Sequence, residues 1–205
     1  MELKGIKNII FDFGGIIIDI DYEAVRQAFI KIGMEDPKKY YEHEQHSKLV
    51  EDFECGLISA DEFRQELISN MNAKVDFKTF DDAWNSIIKT IPQPRVELID
   101  ALRKKYKVFL LSNTNCIHYA KYTDDFKRSY NRELIDLFDK AYFSYQMKLR
   151  KPDIKIFETV LIEQNIDPKE TIFIDDSKIN IEAAKLTGMN IFYKPQKDEL
   201  IDYFI

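Results

Sequence analysis

The chain predicts an α/β fold in which a parallel sheet is covered by helices on both faces and a small all-helical unit is spliced in after the first strand. Three observations carry this. The runs Ile9-Ile10-Phe11, Val108-Phe109-Leu110-Leu111 and Thr171-Ile172-Phe173-Ile174 are continuously apolar instead of alternating, as strands buried on both faces are. From Arg95 onward such runs alternate with helical periodicity, the pattern of βα units. Between Asp21 and Ile88 apolar positions recur in threes and fours with no strand signal.

The first strand, Ile9 to Phe11, ends on Asp12, and Gly14 and Gly15 then turn the backbone tightly where a ligand can approach it. Four helices are predicted in the insert: Tyr22 to Ile32, Pro37 to Phe53, one from the capping box Ser59-Ala60-Asp61-Glu62 to Met71, and Phe77 to Ile88. Gly33 and Gly56 stop the first two. Ile91-Pro92-Gln93-Pro94 cannot continue a helix and marks the return to the sheet. There follow a helix from Arg95 to Tyr106, a strand from Lys107 to Ser112, a short strand at Ala141-Tyr142-Phe143, and a helix from Pro152 to Asn165. A strand from Thr171 to Ile174, a helix from Ser177 to Thr187 stopped by Gly188, a strand from Asn190 to Tyr193 and a helix from Lys197 to Phe204 complete the order.

The 205 residues, 45% hydrophobic and 32% charged, suffice for one large domain or two small ones. A formal charge of −6 with acids and bases interspersed excludes a nucleic-acid surface and a polybasic membrane patch, leaving a small-molecule partner. No apolar run approaches the roughly 18 residues of a membrane span and the first residues lack the apolar stretch of a secretory signal, so a cytoplasmic monomer or homodimer is expected. Cys55 and Cys116 belong to no Cys-x-x-Cys pair and read as reduced, partly buried thiols.

Asp12 stands at the carboxyl end of a strand, the edge of an open α/β sheet where ligands bind, as nucleophile or metal ligand, or else as a plain turn cap. Ser112, Lys151 and the pair Asp175 and Asp176 occupy the same topological place, each just past a strand or opening a helix. Singly they read as a turn hydroxyl, a surface amine and a helix cap; together they converge on one crevice. The chemistry that fits is phosphoryl transfer through an aspartyl phosphate. Asp12 attacks phosphorus; a magnesium ion held by Asp12, Asp176, Asp175 (directly or through water) and the Gly14 carbonyl offsets the charge of the phosphate. Lys151 neutralises nucleophile and phosphate, while Ser112 and backbone N–H groups around Asn113 hold the remaining oxygens.

Phe11-Asp12-Phe13-Gly14-Gly15-Ile16, Leu111-Ser112-Asn113-Thr114-Asn115, Arg150-Lys151-Pro152-Asp153 and Ile174-Asp175-Asp176-Ser177 resemble, in order and spacing, the four motifs of the haloacid dehalogenase superfamily. Ser112 to Asn115 and Asp19-Ile20-Asp21 are similar to bacterial sugar phosphatases acting on α-D-glucose 1-phosphate. The resemblance implies a Rossmann-like core, residues 1–20 and 89–205, a helical cap, residues 21–88, Mg2+ dependence and a small phosphate ester as substrate. Most phosphatases of the superfamily carry a second Asp two positions after the nucleophile as general acid; here that position is Gly14. A non-catalytic phosphate-binding protein is therefore one alternative. A metal-free haloacid dehalogenase is another, in which Asp175 and Asp176 would have no purpose.

His43 and His46, three apart without a third ligand, read as solvated cap surface more readily than as a metal site. Tyr40, Tyr41, Phe53, Phe63, Phe77, Phe80 and Trp84 fill the cap core or line the cleft. Asp19 and Asp21 serve as hinge or cap residues, or Asp19 replaces the missing acid.

Overall fold

Ile9, Ile10 and Phe11 have no exposed surface, because the strand they form, β1 (Asn8–Phe11), lies at the centre of the sheet. The computed structural model describes residues 3–37, 41, 42, 45–69, 71 and 74–204, with the backbone alone at 41, 42, 45 and 46. Among these, the insert contains α1 (Tyr22–Lys31), a hairpin of β2 (Tyr41–Glu42) and β3 (Gln45–His46), α2 (Lys48–Glu54), α3 (Ala60–Ser69) and α4 (Phe77–Trp84). Then come α5 (Gln93–Leu102), β4 (Lys107–Ser112), α6 (Cys116–Tyr130), β5 (Lys140–Phe143), α7 (Ser144–Met147), α8 (Ile154–Gln164), β6 (Thr171–Asp175), α9 (Lys178–Lys185) and β7 (Asn190–Tyr193).

The main sheet has five strands in the order β5-β4-β1-β6-β7, all parallel. Side chains of a strand point alternately to its two faces, so each continuous apolar run serves two cores. Ile9, Phe11, Val108, Leu110, Ile172 and Ile174 pack on one face with Ile99 of α5 and Tyr122 and Phe126 of α6. Ile10, Phe109, Leu111 and Phe173 pack on the other with Phe157 and Val160 of α8 and Ile181 of α9.

The insert has its own core of Val25, Phe29, Phe53, Phe63, Phe80 and Trp84, joined by Ile117 from α6. Its aromatic rings meet directly: Phe53 stacks on Phe63 at 4.1 Å and Trp84 meets Phe63 edge-on at 5.0 Å. Phe77, by contrast, is 38% exposed and belongs to no core. The expected capping box forms as written, Glu62 accepting from the Ser59 N–H at 2.7 Å and the Ser59 hydroxyl oxygen accepting from the Glu62 N–H at 3.2 Å. Two linkers join insert and sheet, and they pair with each other: Asp19 N–H to Thr90 O at 3.0 Å, Lys89 N–H to Asp19 O at 2.9 Å and Asp21 N–H to Ile87 O at 2.9 Å.

The elements depart from expectation at several points, including the β2/β3 hairpin in an insert with no strand signal and the short α7, neither of which is expected. Of the helix expected over Pro37 to Phe53, the described residues form α2, entered from the hairpin, because Ser47 caps a fresh start by accepting from Val50 N–H; positions 38–40, 43 and 44 lie outside the described residues. Helix α6 has no counterpart among the elements expected from the sequence. Its buried face is Ile117 with His118, Tyr122 and Phe126 at four-residue intervals, helical in period but with two polar-tipped rings in place of aliphatic side chains, and Asn115 is an N-cap that accepts from His118 N–H at 3.0 Å. The predicted last helix is a 3-10 turn, Ile201–Tyr203; Lys194 Nζ organises the segment before it by donating to the carbonyls of Pro195 and Asp198. Finally, Phe77 to Ile88 is α4 followed by a 3-10 turn, Asn85–Ile87. Among the described residues no helix is long and apolar enough to cross a membrane.

Candidate active site

Three strand ends, those of β1, β4 and β6, and the loop before α8 converge on one cavity. Asp12 leaves β1 with its N–H bonded to Ile174 O at 2.8 Å, which keeps the backbone in sheet geometry up to the carboxylate. The chain then turns at Gly15, whose φ is +72° and where a Cβ would lie 2.3 Å from Asp176 Oδ2. Only glycine fits there. Gly14 is different: its backbone is ordinary and a Cβ would merely touch Ile20 Cδ1 at 3.4 Å.

Lys151 is the centre of charge. Its ammonium, 1% exposed, donates to Asp12 Oδ1 at 2.6 Å and to Asp175 Oδ2 at 2.8 Å. Burial by itself would lower the Lys151 pKa, but the two carboxylates outweigh burial and hold it above its ordinary value. Asp175 is wholly buried and also accepts from Ser177 N–H at 2.7 Å and from Asn180 Nδ2 at 3.2 and 3.0 Å. Asp12, Asp175 and Asp176 each bring a carboxylate oxygen within 4.8 Å of the others. Burial first, against the opposing charge of Lys151 and with that of Asp175, pushes Asp12 up to about 7; burial and then the charge of Asp12 push Asp176 up to about 8. Three crowded carboxylates offering hard oxygen atoms suit a divalent cation such as Mg2+, which would relieve that repulsion.

Asn113 and Lys151 are clamped reciprocally, Asn113 Nδ2 donating to Lys151 O at 2.8 Å and Lys151 N–H to Asn113 Oδ1 at 2.9 Å. The Asn113 side chain thus positions the lysine loop, leaving the backbone as its offer to a ligand. Ser112 is 2% exposed, its hydroxyl making one long bond of 3.4 Å to Asn113 O. Thr114 N–H is taken by Ser144 Oγ at 2.9 Å.

These groups line a cavity of about 340 Å³ roofed by the insert. Six of the seven sequence-nominated residues, Asp12, Gly14, Ser112, Asn113, Lys151 and Asp176, are on its wall, and Asp175 stands behind Lys151. Asp19 is not on that wall; its carboxylate pairs with Arg95 at 2.7 Å beside the linkers, so it does not replace the missing acid. Asp21 caps α1 by accepting from Ala24 N–H at 2.9 Å. His43 lies outside the described residues, as does the side chain of His46. Sequence reasoning missed Asn180, Glu51, Glu54, Arg150, His118 and Tyr122, all on the wall. Asn180, one helical turn past Asp176, was discoverable as the partner of a buried acid; the two glutamates, on a helix distant in sequence, carried no signal.

A family model described as haloacid dehalogenase-like hydrolase matches residues 9–193. The D-ribitol-5-phosphate phosphatase of Bacteroides thetaiotaomicron is 36% identical over 187 residues, 91% of each chain. A phosphorylated carbohydrates phosphatase of Thermotoga maritima is 27% identical over 192 residues, covering 90% of this chain and 83% of that one. A crystal structure of a haloacid dehalogenase family enzyme from Bacteroides thetaiotaomicron, a variant in complex with magnesium and inorganic phosphate, superposes with a TM-score of 0.93 at 36% identity, over 98% of this chain and 99% of that one.

Proposed function

The chain belongs to the haloacid dehalogenase-like hydrolases, and on that premise we propose that it is a Mg2+-dependent phosphatase of small sugar or polyol phosphates, working through an aspartyl phosphate on Asp12. The observation that carries this is the Lys151 ammonium bridging Asp12 and Asp175 with Asp176 alongside, all at one end of the cavity. A metal-free dehalogenase has no use for three carboxylates this close together. The relatives named phosphatases and the neighbour holding magnesium and inorganic phosphate support the same reading.

In this reading Asp12, Asp176 and the Gly14 carbonyl would hold Mg2+, while Asp175, whose oxygens already serve Lys151, Ser177 and Asn180, would support the site from behind. The ion supplies charge neutralisation on the nucleophile and the phosphate. Lys151 aims the Asp12 carboxylate and binds one phosphate oxygen; Ser112 and the backbone at Asn113 hold the others. An oxygen of Asp12 bonds to phosphorus as the bond from phosphorus to the ester oxygen breaks, and the alcohol leaves. Water then attacks the acyl phosphate, releasing phosphate and restoring the carboxylate. With Gly14 in the usual acid's place, the departing oxygen takes its proton from water or from the cavity wall. Residues 1–20 and 89–205 form the core of this enzyme and 21–88 its cap, closing about the paired linkers. Two unpaired thiols, Cys55 and Cys116, suit the cytoplasm.

Glucose 1-phosphate, suggested by the Ser112 to Asn115 resemblance, and ribitol 5-phosphate, named for the Bacteroides relative, both fall in the proposed class. Purified protein assayed with Mg2+ against phosphorylated sugars and polyols should release phosphate, and EDTA should stop it. Failure to hydrolyse any of them, or an aryl phosphate, would leave the non-catalytic alternative.

A further inference from the structure

Ser144, which opens α7, is a fully buried hydroxyl that the phosphoryl chemistry does not use, and it touches both halves of the molecule. Its oxygen accepts from Thr114 N–H at 2.9 Å, and its single proton has two carbonyls within reach, Glu54 O of the insert at 2.7 Å and Thr114 O of the core at 2.9 Å. Thr114 belongs to the loop after β4 whose Ser112 and Asn113 hold the phosphate in the proposed reaction. Glu54 ends α2, where a helix leaves its last carbonyls without an internal partner. Around this contact α2 and α7 meet backbone to backbone: a Cβ at Gly56 would lie 2.3 Å from Tyr145 O, and Lys148 Nζ donates to Gly56 O.

The Thr114 N–H and the Asn113 carbonyl share one rigid peptide plane, and that carbonyl accepts the Ser112 hydroxyl at 3.4 Å. A turn of the plane would carry the Ser112 hydroxyl with it, so the bond from Thr114 N–H to Ser144 sets where that hydroxyl aims. We propose that Ser144 is a positioning residue that registers the phosphate loop against the insert, so that the phosphate oxygens meet their donors in transfer geometry only while α2 is seated on α7. The inference rests on the phosphatase reading and adds a condition to it: the chemical step waits for the seated insert. The second acceptor makes the contact reversible. When α2 lifts, the hydroxyl proton turns to Thr114 O, so that release costs less than orphaning a buried donor would.

Pre-steady-state phenol release from an aryl phosphate with Mg2+ is followed in wild type and Ser144→Ala, each first shown to be folded by Trp84 fluorescence. The rate constant at saturating ester should fall at least about tenfold, less than on deleting a donor to the phosphate itself because Ser144 acts one peptide away, while the half-saturating ester concentration changes by less than about threefold. A serine that only held the fold would leave the rate constant of the folded protein unchanged. Amide exchange at residues 55–57 and 113–115, with Mg2+ and beryllium fluoride bound, should quicken in the same variant. Ser144→Cys, close in size but a weaker hydrogen-bonding group, should fall between the two, and it carries the comparison if Ser144→Ala does not fold. A rate constant within about twofold of wild type, or exchange at 55–57 unmoved by the substitution, overturns the proposal while the phosphatase reading stands. A wild type that hydrolyses no phosphate ester removes the phosphatase reading and this inference with it.

Discussion

Replacing Asp12 by Asn should abolish turnover and yet make the metal-free protein more stable at alkaline pH. Asp12 is 8% exposed, and burial foremost, with Lys151 opposing and Asp175 adding, holds it at about 7 against an ordinary 3.8. A carboxyl whose pKa is higher folded than unfolded binds more protons folded, so its stability contribution is complete below about pH 4 and is lost as pH rises through about 7. At about 1.4 kcal/mol per pH unit the whole interval amounts to about 4 kcal/mol, of which about 2 kcal/mol falls between pH 5.5 and 8. The amide of the Asp12→Asn variant carries no such charge, and Lys151 keeps Asp175 at 2.8 Å, so no cation is orphaned. Asp176, raised in part by the charge of Asp12, is relieved as well. Urea unfolding in EDTA at the two pH values, followed by the single tryptophan, Trp84, which is 1% exposed, measures this. Wild type should lose about 2 kcal/mol more between them than Asp12→Asn, the loss due to burial of Asp176 being common to both, while Mg2+ should restore wild type at pH 8 more than the variant. A variant less stable than wild type at pH 8 without metal, or equal slopes for the two, would refute the reasoning.

Lys151→Met should destabilise by about 3–5 kcal/mol at pH 8, since it leaves Asp12 and Asp175 buried without their cation; the loss should shrink at pH 5, where Asp12 is protonated, and an equal loss at both values would count against that cause. Gly15→Ala should weaken Mg2+ binding by calorimetry, because the added methyl displaces Asp176 and strains a φ of +72°. Gly14→Asp should fold normally and speed phosphoenzyme formation from alkyl phosphates by up to about 10²–10⁴, with a smaller gain for aryl phosphates that leave without a proton; a burst that is independent of leaving-group basicity in wild type would show that an acid is already in place. Asp21→Ala should cost about 1 kcal/mol by removing the cap of α1, read as a shift in urea midpoint. Hydrogen exchange at residues 19–21 and 87–90 should slow on adding Mg2+ with beryllium fluoride, and unchanged exchange would argue against a closing motion at the paired linkers.

The sequence by itself determined the architecture of the sheet and the identity of its reactive edge. Apolar runs such as Phe109 to Leu111 and Ile172 to Ile174 have no partner but a covered parallel sheet, and a polar residue at the end of each has no place but the crevice where those ends meet. These are local signals, written within a few residues of Asp12, Ser112, Lys151 and Asp176. Helix α6 escaped although His118, Tyr122 and Phe126 recur every four residues, because His118 and Tyr122 are polar-tipped rings that do not read as an apolar stripe until they pack on the sheet and under Trp84. The end of the chain escaped because Lys194 trades a helix for two backbone carbonyls that only the fold brings to it. Tertiary structure alone decided what each acid can do. Asp175 and Asp176 are neighbours in sequence, but one is sealed behind Lys151 and Asn180 while the other faces the cavity. It also decided that Asp19 turns to Arg95 and away from the site, and that Glu51 and Glu54 meet Arg150 from about a hundred residues away. Charge interactions depend on distance and burial, which contacts remote along the chain create and no local pattern encodes.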